Sequence, residues 1–187
     1  ATDQGDVVAR LNSQIAGGTE FIVPMGERAD PQTVQFGNHV DTEPVGVLAW
    51  EATRIASGIP RIGLDTDART IPNEIGLYAT HLDKGCYRGQ ETVARVHNLG
   101  RPPRRLTMLM LDGSDAELPD PGASVILEGR KVGQLGGVAM HHELGPVGLA
   151  LLKRNVSVDS VLTVDGVAAS QTILVDPEVG LHVRPQL

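Results

Sequence analysis

The spacing of apolar and polar positions changes near the middle of the chain. In the first half, Val7, Val8, Leu11 and Ile15 recur at helical spacing before Gly17-Gly18, and predict a helix that stops there. Residues 20–24, EFIVP, read as a short apolar strand closed by proline. Leu48, Ala52, Ile55 and Ala56 form a second helical stripe, entered through the cap residues of DTEP (41–44) and ended at Gly58. Residues 58–73, GIPRIGLDTDARTIPN, hold two prolines and two glycines without a sustained period, so they read as a long ordered loop. QETVARVH (90–97) has helix-forming composition, with Gly100 just beyond it.

Past Pro102-Pro103 the pattern turns to strands. RRLTMLMLDG alternates and ends at Asp112-Gly113, and ASVILEGRKVGQLGGVAM is two strands about Gly129. SVLTVDGVAASQTILV is two more around Asp165-Gly166, a strong hairpin signal. A small all-β domain follows, a barrel or a sandwich, preceded by an α/β part. DGSDAELPDPG (112–122) is a polar, mobile-looking loop. GQLGGV (133–138) falls inside a hairpin and lacks the strand-turn-helix setting of a dinucleotide loop, so its glycines serve bulges or close backbone approach. His141-His142 have no third ligand nearby, and no metal site is expected.

Composition narrows the function. One cysteine in 187 residues excludes an intrachain disulfide and a four-cysteine zinc site. No basic, apolar leader and no membrane-length run stand in the sequence, which predicts a cytoplasmic protein without a membrane partner. A net charge of −7 and 3% aromatic residues argue against a nucleic-acid partner. Yet residues 84–105 carry Lys84, Arg88, Arg95, Arg101, Arg104 and Arg105 against Glu91 alone, a local +5. Either an anionic ligand meets this segment, or these side chains are solvated or paired with acids elsewhere.

The single thiol, Cys86, lies within that segment in KGCYRGQE (84–91). In an extended chain Lys84, Cys86 and Arg88 would share a face. Gly85 and Gly89 oppose a helix at the thiol, and QETVARVH starts one just after it. Neighbouring cations and a helix start both favour a thiolate, so a reactive Cys86 is expected; the bland alternative is a buried, inert cysteine.

KGCYRGQE resembles the signature of the YgfZ family, Lys-Gly-Cys-Phe/Tyr-x-Gly-Gln-Glu, at all eight positions. Residues 56–76, ASGIPRIGLDTDARTIPNEIG, are similar to the segment that precedes the signature in those proteins. That family belongs to the aminomethyltransferase superfamily, whose enzyme member is the glycine-cleavage T protein. The resemblance implies an α+β chain: the C-terminal part of a T protein-like folate-binding α/β domain over 1–101, then a small antiparallel β-barrel over 102–187. It implies tetrahydrofolate or a derivative as cofactor and iron-sulfur assembly or client proteins as partners. By the same resemblance, Cys86 and Lys84 are the catalytic candidates, and Glu20, Arg61, Tyr87, Arg88, Gln90, Glu91 and Arg95 the folate-binding ones. Arg61 and Asp65 could equally form a structural clamp. The corresponding T protein stretch has an acid and an aromatic after Lys-Gly and no thiol, so Cys86 separates the two groups. Family members also carry a further N-terminal portion of the folate pocket, which a second chain or the rest of a longer protein would supply. A T protein-like aminomethyltransferase, or a non-enzymatic β-rich adaptor, are the alternatives.

Overall fold

The computed structural model describes residues 9–12, 19–22, 46–77, 85–99, 102–113 and 117–178. Strands β1 (Ala9–Asn12) and β2 (Thr19–Ile22) pair antiparallel, Ala9 opposite Ile22. The helix expected over residues 7–15 is therefore replaced, across 9–12, by one arm of a sheet. Val7, Val8 and Ile15 are β-branched and Asn12-Ser13 favour turns, so the helical spacing has little intrinsic propensity behind it and strand pairing prevails. The Gly17-Gly18 stop lies outside the described residues.

Helix α1 (Val47–Ala56) starts at Gly46 without a side-chain cap, and residues 41–44 lie outside the described part. Ala52 and Ile55 of its predicted stripe are buried, whereas Leu48 is exposed. After the helix the chain runs as an irregular loop to a single 3-10 turn, Pro72–Ile75. Helix α2 spans Gln90–Leu99.

The remaining strands are β3 (Arg104–Leu111), β4 (Ser124–Leu127), β5 (Arg130–His141), β6 (Gly145–Lys153), β7 (Leu162–Val164) and β8 (Val167–Ile173). They close an antiparallel six-stranded barrel in the order β3-β6-β5-β4-β7-β8. Two-residue turns at Glu128-Gly129 and Asp165-Gly166, with positive φ at both positions of each, join β4 to β5 and β7 to β8. Leu109, Val125, Leu135, Leu152, Leu162 and Val164 fill the interior.

A second apolar cluster lies on the outer face, where Ala52 and Ile55 of α1 meet Leu106, Met108, Leu149 and Leu151. Strands β3 and β6 are thus covered on both faces, and neither shows the alternation of a half-exposed strand. Strand β6 has no forerunner among the sequence predictions, because GPVGLALLK is continuously apolar and periodicity cannot assign such a run.

Candidate functional site

Cys86 is a free, exposed thiol in a non-helical stretch directly ahead of α2. The chain then turns: the Gln90 N–H donates to the Tyr87 carbonyl at 3.2 Å, with Gly89 at φ 82°, and the Val93 N–H donates to the Gly89 carbonyl at 3.1 Å to begin the helix. That left-handed φ is the reason for glycine at 89. Because residues 87–90 form the turn, strand-like alternation does not carry through Arg88. Arg88 and Glu91 are exposed, and Tyr87 and Gln90 are half-buried. Glu91 sits in the first turn of α2, where a carboxylate complements unpaired N–H groups. Lys84 lies outside the described residues, as do the side chains of Glu20 and Arg95.

The long loop is held to the barrel by two acid-arginine clamps. In the first, the Asp65 carboxylate is wholly buried and accepts three hydrogen bonds: from Arg54 Nη1 at 2.9 Å, from the Arg61 backbone N–H at 2.7 Å and from the Gly137 N–H at 2.6 Å. Arg54, itself buried, also donates to the Ile59 carbonyl and to Glu51 Oε2, at 2.7 Å from Nη2. The Arg61 guanidinium turns the other way, onto Glu51 Oε1 at 2.5 Å, and is half-exposed. Burial alone would raise the Glu51 carboxyl, but the hydrogen bonds and charges of Arg54 and Arg61 outweigh it and hold the group below its ordinary value. Asp65 is therefore a clamp that binds Arg61 through its backbone. The glycines of GQLGGV let this happen: the β5 register shifts between Leu135 and Val138, and Gly136 and Gly137 bring backbone against Asp65 and Arg54.

In the second clamp Arg104, the first residue of β3, donates from Nε to Glu74 Oε1 at 2.9 Å and from Nη1 to Asp67 Oδ2 at 2.7 Å. Glu74 is fully buried, and its other oxygen accepts from Arg104 Nη2 at 2.9 Å and from the Ile71 N–H at 3.1 Å. The hydrogen bonds from Arg104 hold the Asp67 carboxyl well below the usual carboxylate range, overcoming the opposing effect of burial, with Thr70 and the Arg69 N–H assisting. A carboxyl so depressed stabilises the fold above its unfolded pKa of about 3.9 and loses that contribution as pH falls from there toward the folded value. The Asp67→Asn variant is accordingly expected to lose stability more shallowly than wild type between about pH 5 and pH 2. Urea unfolding at stepped pH checks this, and parallel slopes would count against it.

The local +5 of residues 84–105 shrinks accordingly. Arg104 is neutralised by acids from outside the segment. Arg105 is buried at one end of the barrel, where it donates to Thr107, to the Val156 carbonyl at 3.2 Å and to Gln171 Oε1 at 2.7 Å. Burial, with Arg154 adding repulsion, pushes the Arg105 pKa down. Of the segment's cations with described side chains, Arg88 is the exposed one.

Sequence reasoning missed Arg54, Glu51, Asp67 and Glu74. Among them only Glu74 carried a local signal, an acid three residues after a helical-turn start. Among the described residues no cluster of three or more metal-ligating side chains occurs, and no helix is long and apolar enough to cross a membrane.

Residues 104–174 match the family model described as "CAF17, C-terminal beta-barrel domain". The barrel is thus a domain of that class, with helix α1 and a clamped loop laid on its outer face. The chain is 37% identical over 93 residues, 49% of its length, to a chloroplastic protein of Arabidopsis thaliana provisionally named a transferase. It is 36% identical over 80 residues, 41% of its length, to the tRNA-modifying protein YgfZ of Colwellia psychrerythraea, and 37% identical over 82 residues, 42% of its length, to that of Escherichia coli. What these matches show is a barrel of the CAF17 C-terminal class and, over less than half of the chain, similarity to proteins named YgfZ. The matched stretches cover 21% of the Arabidopsis protein and 24% of each of the two bacterial ones.

Proposed function

We propose that the protein is a folate-binding, YgfZ-like factor that acts in the assembly or repair of iron-sulfur proteins through a tetrahydrofolate-dependent step using Cys86. The observation that carries this reading is the free, exposed thiol placed immediately before α2 inside the eight-residue signature. A T protein-like aminomethyltransferase has no use for that thiol, and an adaptor has no use for its cationic neighbour.

The donor set around the turn fits tetrahydrofolate. Arg88 offers an exposed cation for an anionic tail, and Gln90 and Glu91 offer the amide and carboxylate that a nitrogen heterocycle needs for hydrogen bonding. When bound, the folate would supply one-carbon chemistry. The T protein-like α/β domain over the first half of the chain belongs to the same reading. One cysteine offers one thiolate, whereas common clusters take about four, so an iron-sulfur cluster is cargo shared with another protein. The tRNA modification in the names of the relatives enters this reading as an effect on iron-sulfur enzymes, since a chain of net charge −7 is a poor direct ligand for RNA.

The test is complementation of a deletion strain with wild type, Cys86→Ser and Lys84→Ala, with folate affinity measured separately. Cys86→Ser is expected to keep folate affinity within about twofold, because an exposed thiol contributes little packing, yet to fail in restoring iron-sulfur enzyme activity. Full rescue by Cys86→Ser would move the aminomethyltransferase reading ahead, and absence of folate binding would favour the adaptor.

A further inference from the structure

The clamped loop does not lie flush on the barrel. Between loop residues 64–67 and the outer face of β5 and β6 it leaves a cavity of about 420 Å³, within the range of small-molecule sites. Leu64 from the loop and Leu151 from β6 give it apolar walls. Two lysines also line it. Lys153 Nζ donates to the Lys131 carbonyl at 3.1 Å, which ties the end of β6 to β5 beside Lys131. Both lysines are exposed, and among the described residues neither makes an ion pair. Every acid on the cavity wall is already engaged: Asp65 with Arg54, and Asp67 with Arg104.

We propose that this cavity binds a small amphipathic monoanion, a carboxylate or sulfonate with an aromatic or branched apolar body. The body would lie against Leu64 and Leu151, and the charge would meet the two ammonium groups. A phosphate is the poorer fit. Arg104, the cavity's guanidinium, is committed to Glu74 and Asp67 and offers no free fork, and the neighbouring Asp67 carboxylate repels a dianion. The proposal rests on the barrel and its loop alone, independently of the folate reading.

Titration of the isotopically labelled chain with 1-naphthaleneacetate, against its neutral isostere 1-naphthaleneacetamide, tests it by amide chemical shifts. The acid is expected to move the amide signals of Thr66, Gln134 and Gly136 and to bind about tenfold more tightly than the amide, with the difference shrinking in salt. A Lys131→Gln/Lys153→Gln double variant should weaken the acid by about tenfold and leave the amide's binding and the rest of the spectrum unchanged. Equal binding of acid and amide, shifts confined to other parts of the chain, or no shift up to about 5 mM ligand would each overturn the proposal.

Discussion

Replacing Asp65 with alanine should destabilise the protein by about 3–5 kcal/mol, the range for removing one partner of a buried ion pair. The Asp65 side chain is fully buried and the Arg54 side chain is 1% exposed, so the guanidinium left behind could recover little solvation. It would retain Glu51 and the Ile59 carbonyl, while the Arg61 and Gly137 N–H groups would lose their acceptor. Asp65→Asn should cost less, since it keeps the volume and one oxygen acceptor but loses the charge opposite Arg54. Urea unfolding followed by far-ultraviolet circular dichroism and by Trp50 fluorescence reads the effect. Trp50 is the only tryptophan and stands on α1, the helix the clamp secures, so its transition reports that helix directly. A loss below about 1 kcal/mol would mean that Asp65 is not the anchor its three hydrogen bonds imply.

What could be read from the sequence was local. The turns at Glu128-Gly129 and Asp165-Gly166 announce their hairpins, and Gly89 with the helix after it places Cys86 outside a helix. The barrel was legible to that extent, although β6, apolar on both faces, had no period to betray it. The clamps were legible only in part: Asp65 could be read as a clamp with Arg61, but not its partners Arg54 and Gly137, nor the Arg104 clamp. Asp65 stands 11 residues from Arg54 and 72 from Gly137, and nothing near any of the three marks the others as partners. The charge count also misled at its C-terminal end. Arg104 and Arg105 add to a formal basic patch, but one is cancelled by Asp67 and Glu74 and the other is turned into the protein. Formal charge is additive along a sequence; the field it creates depends on which acids the fold brings alongside.

The double glycine supplies the other large expected effect. A Cβ added at Gly136 would stand 2.3 Å from Asp65 Oδ1 and 2.7 Å from the Asp65 Cα, closer than side-chain carbons approach such atoms. Asp65 cannot simply withdraw, because its Oδ1 holds the Gly137 N–H at 2.6 Å and its Oδ2 holds Arg54 and the Arg61 backbone. Gly136→Ala must therefore lift the loop, strain β5 at its register shift, or break the clamp. We expect a loss of about 3 kcal/mol, the upper end of the usual range for overpacking. Gly85→Ala is the control: among the described residues its Cβ would meet nothing within 4 Å, so its effect should stay within about 0.5 kcal/mol. The decisive measurement is the double variant Asp65→Ala/Gly136→Ala. If the clash and the clamp are one contact, the two losses should fall short of additivity by more than about 1 kcal/mol, because Asp65→Ala removes the Oδ1 contact and the hydrogen bonds that hold the residue 65 Cα against Gly136. Strict additivity would mean that the loop rests on β5 through contacts other than Asp65, and the clamp would lose its place as the element that seats the loop on the barrel.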